Sequence, residues 1–160
     1  MRKTFVNLLT LATVFLCGSS MWAQEAPKAD DEGYFLIGTP DEFQWFAKQV
    51  TENGEDPNVR LTADLDMTGI TLPTIGKPSD NTYEGNFDGQ GHTIANLTVT
   101  GDGVQGNQTG IGLFKRKTKG TITRTILRDL TINVTVDDEH PCEYAGGFVG
   151  NQRASSELSY

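Results

Sequence analysis

Cysteine is scarce in this chain. There are two in 160 residues, and Cys17 falls in an N-terminal segment that reads as a cleaved leader. Cys142 is then alone, so no internal disulfide can staple the fold. A lone thiol reads as a small apolar group rather than a nucleophile. Histidine is equally rare, with only His92 and His140. No His-Glu-x-x-His run is present, which excludes the commonest zinc-protease motif. Basic residues are outnumbered, 13 Lys and Arg against 21 Asp and Glu, for a net charge of -8. Nucleic acid is thereby excluded as a partner, because binding a polyanion needs concentrated basic surface. Hydrophobic residues make up 36% of the chain, too few for a thick core but enough for a thin, repetitive one.

The longest apolar run, Phe5 to Leu16, is shorter than the ~20 residues that a membrane-spanning helix needs. Arg2 and Lys3 precede it and Ser20-Met21-Trp22-Ala23 follows. That order is a secretory signal peptide over residues 1–23, cleaved after Ala23. An uncleaved anchor is the alternative. A lipid-modified Cys17 is disfavoured, because Leu16 stands where a small residue is expected. Cleavage leaves 137 residues with 11 basic and 21 acidic side chains. Gln24 to Gly33 then reads as a flexible acidic leader.

What the chain does have is glycine and threonine, 18 and 20 residues respectively. This mixture suits turns and strands. Residues 34–57 predict one strand, Tyr34-Phe35-Leu36-Ile37, and one helix. Thr39 is placed to cap that helix, Pro40 suits its first position, and Glu42 completes a capping box. Phe43, Phe46, Ala47 and Val50 form one apolar stripe, and Asn53-Gly54 ends the helix. Residues 58–160 change to short β stretches between glycine turns. Ile94-Ala95-Asn96-Leu97-Thr98-Val99 shares its apolar spacing with Leu127-Arg128-Asp129-Leu130-Thr131-Ile132, 33 residues later. Gly112-Leu113-Phe114 is echoed by Gly147-Phe148-Val149, 35 residues later. Self-similarity at this period predicts a repeat architecture. Because the unit is strand-like, a β-solenoid follows, with each coil completing the hydrogen bonds of its neighbour. An antiparallel sandwich is the alternative. The amphipathic helix precedes the first coil and is placed to cover its open edge.

Several segments occur in one order: Ile37-Gly38-Thr39-Pro40-Asp41-Glu42-Phe43, Leu61-Thr62-Ala63-Asp64-Leu65-Asp66, Thr74-Ile75-Gly76, and Tyr83-Glu84-Gly85-Asn86-Phe87-Asp88-Gly89-Gln90-Gly91-His92-Thr93-Ile94-Ala95-Asn96-Leu97. That order resembles the start of the secreted GLUG-motif proteins of bacteria. Gly112-Leu113-Phe114 and Gly146-Gly147-Phe148-Val149-Gly150 resemble their repeats. Lys115 departs from the pattern at the first closing glycine, and Phe148 replaces a leucine. The resemblance covers about Tyr34 to Gln152. It implies a right-handed parallel β-helix on a bacterial surface, often adhesin-like or flanking other domains. With the residue pattern, the expected fold is therefore all-β, a right-handed parallel β-helix with an N-terminal amphipathic capping helix. The end of the signal peptide resembles those of exported proteins of gut Bacteroidetes. Glu157-Leu158-Ser159-Tyr160 reads as the start of a further strand, so more coils or a downstream domain are expected beyond it.

Candidate chemistry is sparse. Asp64 and Asp66 share a strand face and could bind Ca²⁺ or act as an acid/base pair, but Asp residues here also suit turn amides. In Asp88-Gly89-Gln90-Gly91-His92, a catalytic Asp and His compete with a tight corner in which Asp88 caps backbone N–H groups and both glycines take unusual φ. His140 and Cys142 lie in an acidic loop without zinc-ligand spacing. Lys115, Arg116, Lys117 and Lys119 read as a solvated turn, or as a contact for an anionic glycan or cell surface.

The sequence therefore predicts no catalytic residue, no metal site and no cofactor, and it leaves the binding residues unknown. The expected role is a non-catalytic exported module for adhesion or display, outside the cell or at its surface, with the periplasm as a further possibility. Its partner would be a glycan or a cell-surface protein, met through exposed coil faces or loops such as Thr100 to Thr109. The alternatives are a carbohydrate-active β-helix enzyme, a lyase or hydrolase with charged groups converging on one face of successive coils, and a spacer for a downstream domain.

Overall fold

A computed structural model describes residues 25–102, 110–135, 144–152 and 157–159. The expected signal peptide, His140, Cys142 and residues 103–109 of the expected binding loop lie outside the described residues. Strand β1 (Phe35–Ile37) is followed by helix α1 (Pro40–Thr51). Four short strands come next: β2 (Val59–Leu61), β3 (Leu65–Asp66), β4 (Thr71–Pro73) and β5 (Thr82–Tyr83). A second set comprises β6 (Phe87–Asp88), β7 (Thr93–Ala95), β8 (Thr98–Asp102) and β9 (Phe114–Lys117). A third comprises β10 (Thr121–Thr123), β11 (Ile126–Arg128), β12 (Thr131–Thr135) and β13 (Val149–Gln152), and β14 (Glu157–Ser159) follows.

Every pairing between these strands is parallel. The four sheets run β1-β2-β6-β10-β14, β3-β7-β11, β4-β8-β12 and β5-β9-β13. From β2 onward, each strand pairs with the strand four places later. The protein is thus mostly β, in parallel sheets, and α1 is the one helix of the described residues. The two sequence spacings are strand registers. Ile94 faces Leu127, and Phe114 faces Val149.

Alternation along each strand selects these registers. A slip of one residue would turn every inward side chain outward. Phe35, Val59, Phe87, Ile122 and Leu158 occupy one row across the first sheet. Leu65, Ile94 and Leu127 form a second row, and Leu72, Val99 and Ile132 a third. Phe87, Ile94 and Val99, in the middle of these rows, are no more than 1% exposed.

The helix forms as the capping signals predict. The Glu42 N–H donates to Thr39 Oγ1 at 3.3 Å. The Glu42 carboxylate accepts from the Gly38 N–H at 2.8 Å, one residue before the cap itself. Phe43, Phe46, Ala47 and Val50 are all buried, and Trp45 joins them by packing on Phe35 with ring centroids 4.8 Å apart. Because β1 and β2 are neighbours in one sheet, α1 occupies the part of the first layer that three strands fill in later layers. Its Phe46 ring lies 5.4 Å from Tyr83, 5.6 Å from Phe87 and 6.2 Å from Phe114. The stripe therefore closes one end of the apolar interior.

Two details differ from the sequence reading. Within the expected leader, Gln24 to Gly33, residues 28–33 are not free but turn back on β1. The Leu36 N–H donates to the Lys28 carbonyl at 2.8 Å, and Ala29 bridges Phe35. The Arg60 guanidinium holds this turn by pairing with Asp30, with Glu32 at 2.6 Å, and with the face of Tyr34 at 4.0 Å. Of the two glycines at the Asp88–His92 corner only Gly91 takes a positive φ, +85°, and Gln90 before it lies in the same region at +53°. Gly89 is required for a different reason: a Cβ there would lie 2.4 Å from the Arg124 carbonyl oxygen of the next layer.

Phe46→Ala should cost about 3–5 kcal/mol, the range for truncating a buried aromatic side chain. Urea unfolding of the variant checks this, with Lys48→Ala on the exposed helix face as the near-neutral comparison.

Candidate functional site

The sheet β3-β7-β11 brings together more chemistry-bearing side chains than the sequence singled out. Leu65, Ile94 and Leu127 face inward, so the flanking positions face out. Asp64 and Asp66 come from the first layer of this sheet, His92 and Asn96 from the second, and Arg128 from the third. Asp64 Oδ1 lies 3.2 Å from His92 Nδ1 and accepts the Thr93 N–H at 2.9 Å. Asp66 Oδ1 accepts from Asn96 Nδ2 at 2.9 Å and from the Thr68 N–H and hydroxyl at 3.1 and 2.6 Å.

These bonds hold both carboxyls below the ordinary carboxylate range. For Asp64 the Thr93 N–H contributes most, followed by His92, with a smaller contribution from the charge on Arg128. For Asp66 the Asn96 amide contributes most, followed by Thr68 and again Arg128. Both groups stay ionised at neutral pH. A general acid requires the opposite, a carboxyl raised toward neutrality.

Asp88 is engaged in the same way. Its carboxylate caps the Gln90 N–H at 3.1 Å, accepts from the Gln90 amide at 2.7 Å, and pairs with Arg124 of the next layer through Nε at 3.0 Å and through Nη2. Burial opposes ionisation there, but the Arg124 guanidinium, the Gln90 N–H and the charge on Arg60 together keep the carboxyl low. Arg124 also takes a positive φ of +49°.

The basic segment departs most from expectation. Lys115, Arg116 and Lys117 belong to strand β9 rather than to a solvated turn. Lys117 is 1% exposed. Its ammonium donates to the Gly85 carbonyl of the preceding layer and lies 4.1 Å from the Tyr83 ring centroid. Burial lowers its pKa to about 7, against the opposing pull of Asp56 and Glu84. Lys119 is the exposed member, and it pairs with Glu84 at 3.0 Å. Lys77 completes this corner on Asp56 at 2.7 Å.

Asn96, Arg124 and Arg60 carried no sequence signal, because each meets a partner in another layer, and Arg128, paired with its neighbour Asp129 at 3.7 Å, reaches Asp64 and Asp66 through its charge. Among the described residues no group of three or more His, Cys, Asp and Glu side chains could hold a metal ion. No described helix is long and apolar enough to cross a membrane. No family model, curated protein or solved structure matches the chain.

Lys117 gives the fold a pH dependence of definite sign. Its pKa in the folded chain, about 7, lies below the ordinary value of 10.5. Between those values the unfolded chain binds more protons, so stability rises with pH. The melting temperature should therefore climb from pH 7 to pH 9.5 through this residue, and Lys117→Met should flatten the climb. A parallel slope in the wild type and the variant would show that the amine is solvated.

Proposed function

We propose that the chain is an exported, non-catalytic surface module built as a right-handed parallel β-helix of the GLUG type. One observation carries this reading. Asp64, Asp66 and Asp88, the carboxylates with catalytic potential, are engaged in hydrogen bonds that tie one layer to the next, and all three are held in the ionised form. Side chains used in this way make a rigid scaffold with outward faces, which is what adhesion or display at a cell surface requires. The strand order supports the β-helix, since the chain revisits each parallel sheet after four strands. The right hand follows from the strong chiral preference of parallel crossover connections. Residues 1–23 would direct export and leave Gln24 as the first residue of the mature chain. The partner would be a glycan or a cell-surface protein, and further coils or a downstream domain would extend the stack.

A carbohydrate-active enzyme is the second reading. It is favoured by the placement of Asp64, Asp66, His92 and Arg128 on one sheet across three layers. The two readings separate in one assay. The full chain, incubated with pectin-like and host glycans, should release no new reducing ends and no unsaturated products. Turnover that Asp66→Ala abolishes would establish the enzyme instead.

A further inference from the structure

The four sheets present different outward chemistry. The β3-β7-β11 sheet is flanked by Asp64, Asp66, His92 and Arg128. The first sheet carries Arg60 and Asp88 in register, and the β5-β9-β13 sheet carries Arg116 opposite Thr82. The β4-β8-β12 sheet is different. With Leu72, Val99 and Ile132 inward, its first two outward rows are Thr71–Thr98–Thr131 and Pro73–Thr100–Asn133. Neither row contains an ionisable side chain.

A groove of about 240 Å³ crosses this sheet, lined by Pro73, Thr100, Gly101, Asn133, Val134 and Thr135. Its polar groups are hydroxyls and one primary amide, and its apolar ones are the proline ring, the valine and the threonine methyls. The Thr100 hydroxyl donates to the Leu72 carbonyl at 3.3 Å, which commits its proton and leaves the oxygen to accept from a ligand donor. Asn133 is exposed and offers both donors and an acceptor.

We infer that this groove binds a neutral, linear glycan lying across the layers of the β4-β8-β12 sheet. The inference rests on the surface-module reading and names its ligand class and its face. Charge selects the ligand. The chain carries -8 overall, so it repels polyanions such as polyuronates. A row of hydroxyls and an amide without ions pairs with sugar hydroxyls and leaves no buried charge unmatched. Spacing fits as well. Neighbouring strands lie about 4.8 Å apart, close to the length of one pyranose unit in an extended β-linked chain. Successive sugars would then meet equivalent positions in successive layers. Each contact is weak, and the repeat multiplies them.

The test is native affinity electrophoresis of the full chain in gels containing a soluble mixed-linkage β-glucan, glucomannan or polygalacturonate. Retardation should appear with at least one neutral polymer and be absent with polygalacturonate. Thr100→Glu combined with Asn133→Glu should weaken it at least tenfold. Thr100→Val combined with Asn133→Val, which keeps the strand propensity, should weaken it in the same direction. Ile126→Lys, on the β3-β7-β11 sheet, should leave it unchanged. Melting curves identify any variant that has lost its fold, and the valine pair decides if the glutamate pair has. No retardation by either neutral polymer, or retardation by polygalacturonate alone, overturns the inference. Neutral-glycan binding that survives both double variants overturns the site and leaves the surface-module reading standing. Polymer cleavage during the run would instead overturn the surface-module reading itself.

Discussion

Pairing of each short strand with the layers beside it is the constraint on which the rest of the structure depends. Strands of two to five residues have no stability alone. Their backbone groups are satisfied by segments about 24 to 36 residues away, as Phe35 with Val59 and Ile122 with Leu158 show. The inward row must then be apolar in every layer at the same register. The polar groups at the corners must also reach across layers, because their nearest partners in space are remote in sequence.

Both ends of this logic show in particular residues. Asn86 bonds back to Asn58, which accepts its N–H at 2.9 Å, and forward to Thr121, whose N–H it accepts at 3.1 Å. Asp64, Asp66 and Asp88 make the forward half of this pattern with a carboxylate in place of the amide. The helix solves the remaining problem. The first layer has one strand, so its other three sides would expose apolar interior, and Phe43, Phe46 and Val50 fill that space from α1. The outward faces are left to differ in charge without cost to the stack, and that freedom is where a surface module can acquire a ligand.

Much of this was legible in the sequence. The helix, its cap and its stripe are local, so Thr39, Pro40, Glu42 and Phe46 announce them. The spacing of Ile94 to Leu127 and of Phe114 to Val149 is a repeated apolar pattern, and it became the strand register. What could not be read depends on contacts between layers. Lys117 looks solvated because lysine is rarely buried, yet the Gly85 carbonyl and the Tyr83 ring that accommodate it lie more than 30 residues away. Asp30 looks like part of a loose tail because its partner is Arg60. Gly89 looks like a turn glycine, whereas the Arg124 carbonyl of the next layer excludes any Cβ there. The grouping of Asp64, Asp66, His92 and Arg128 was invisible for the same reason.

Whether these carboxylates are structural is decided by their titration. Carboxyl-carbon NMR of the folded chain, followed from pH 7 downward, reads each group directly. Asp64, Asp66 and Asp88 should all titrate below the ordinary value of 3.8. A value for Asp64 or Asp66 raised toward neutrality would mark a general acid and contradict the non-catalytic reading.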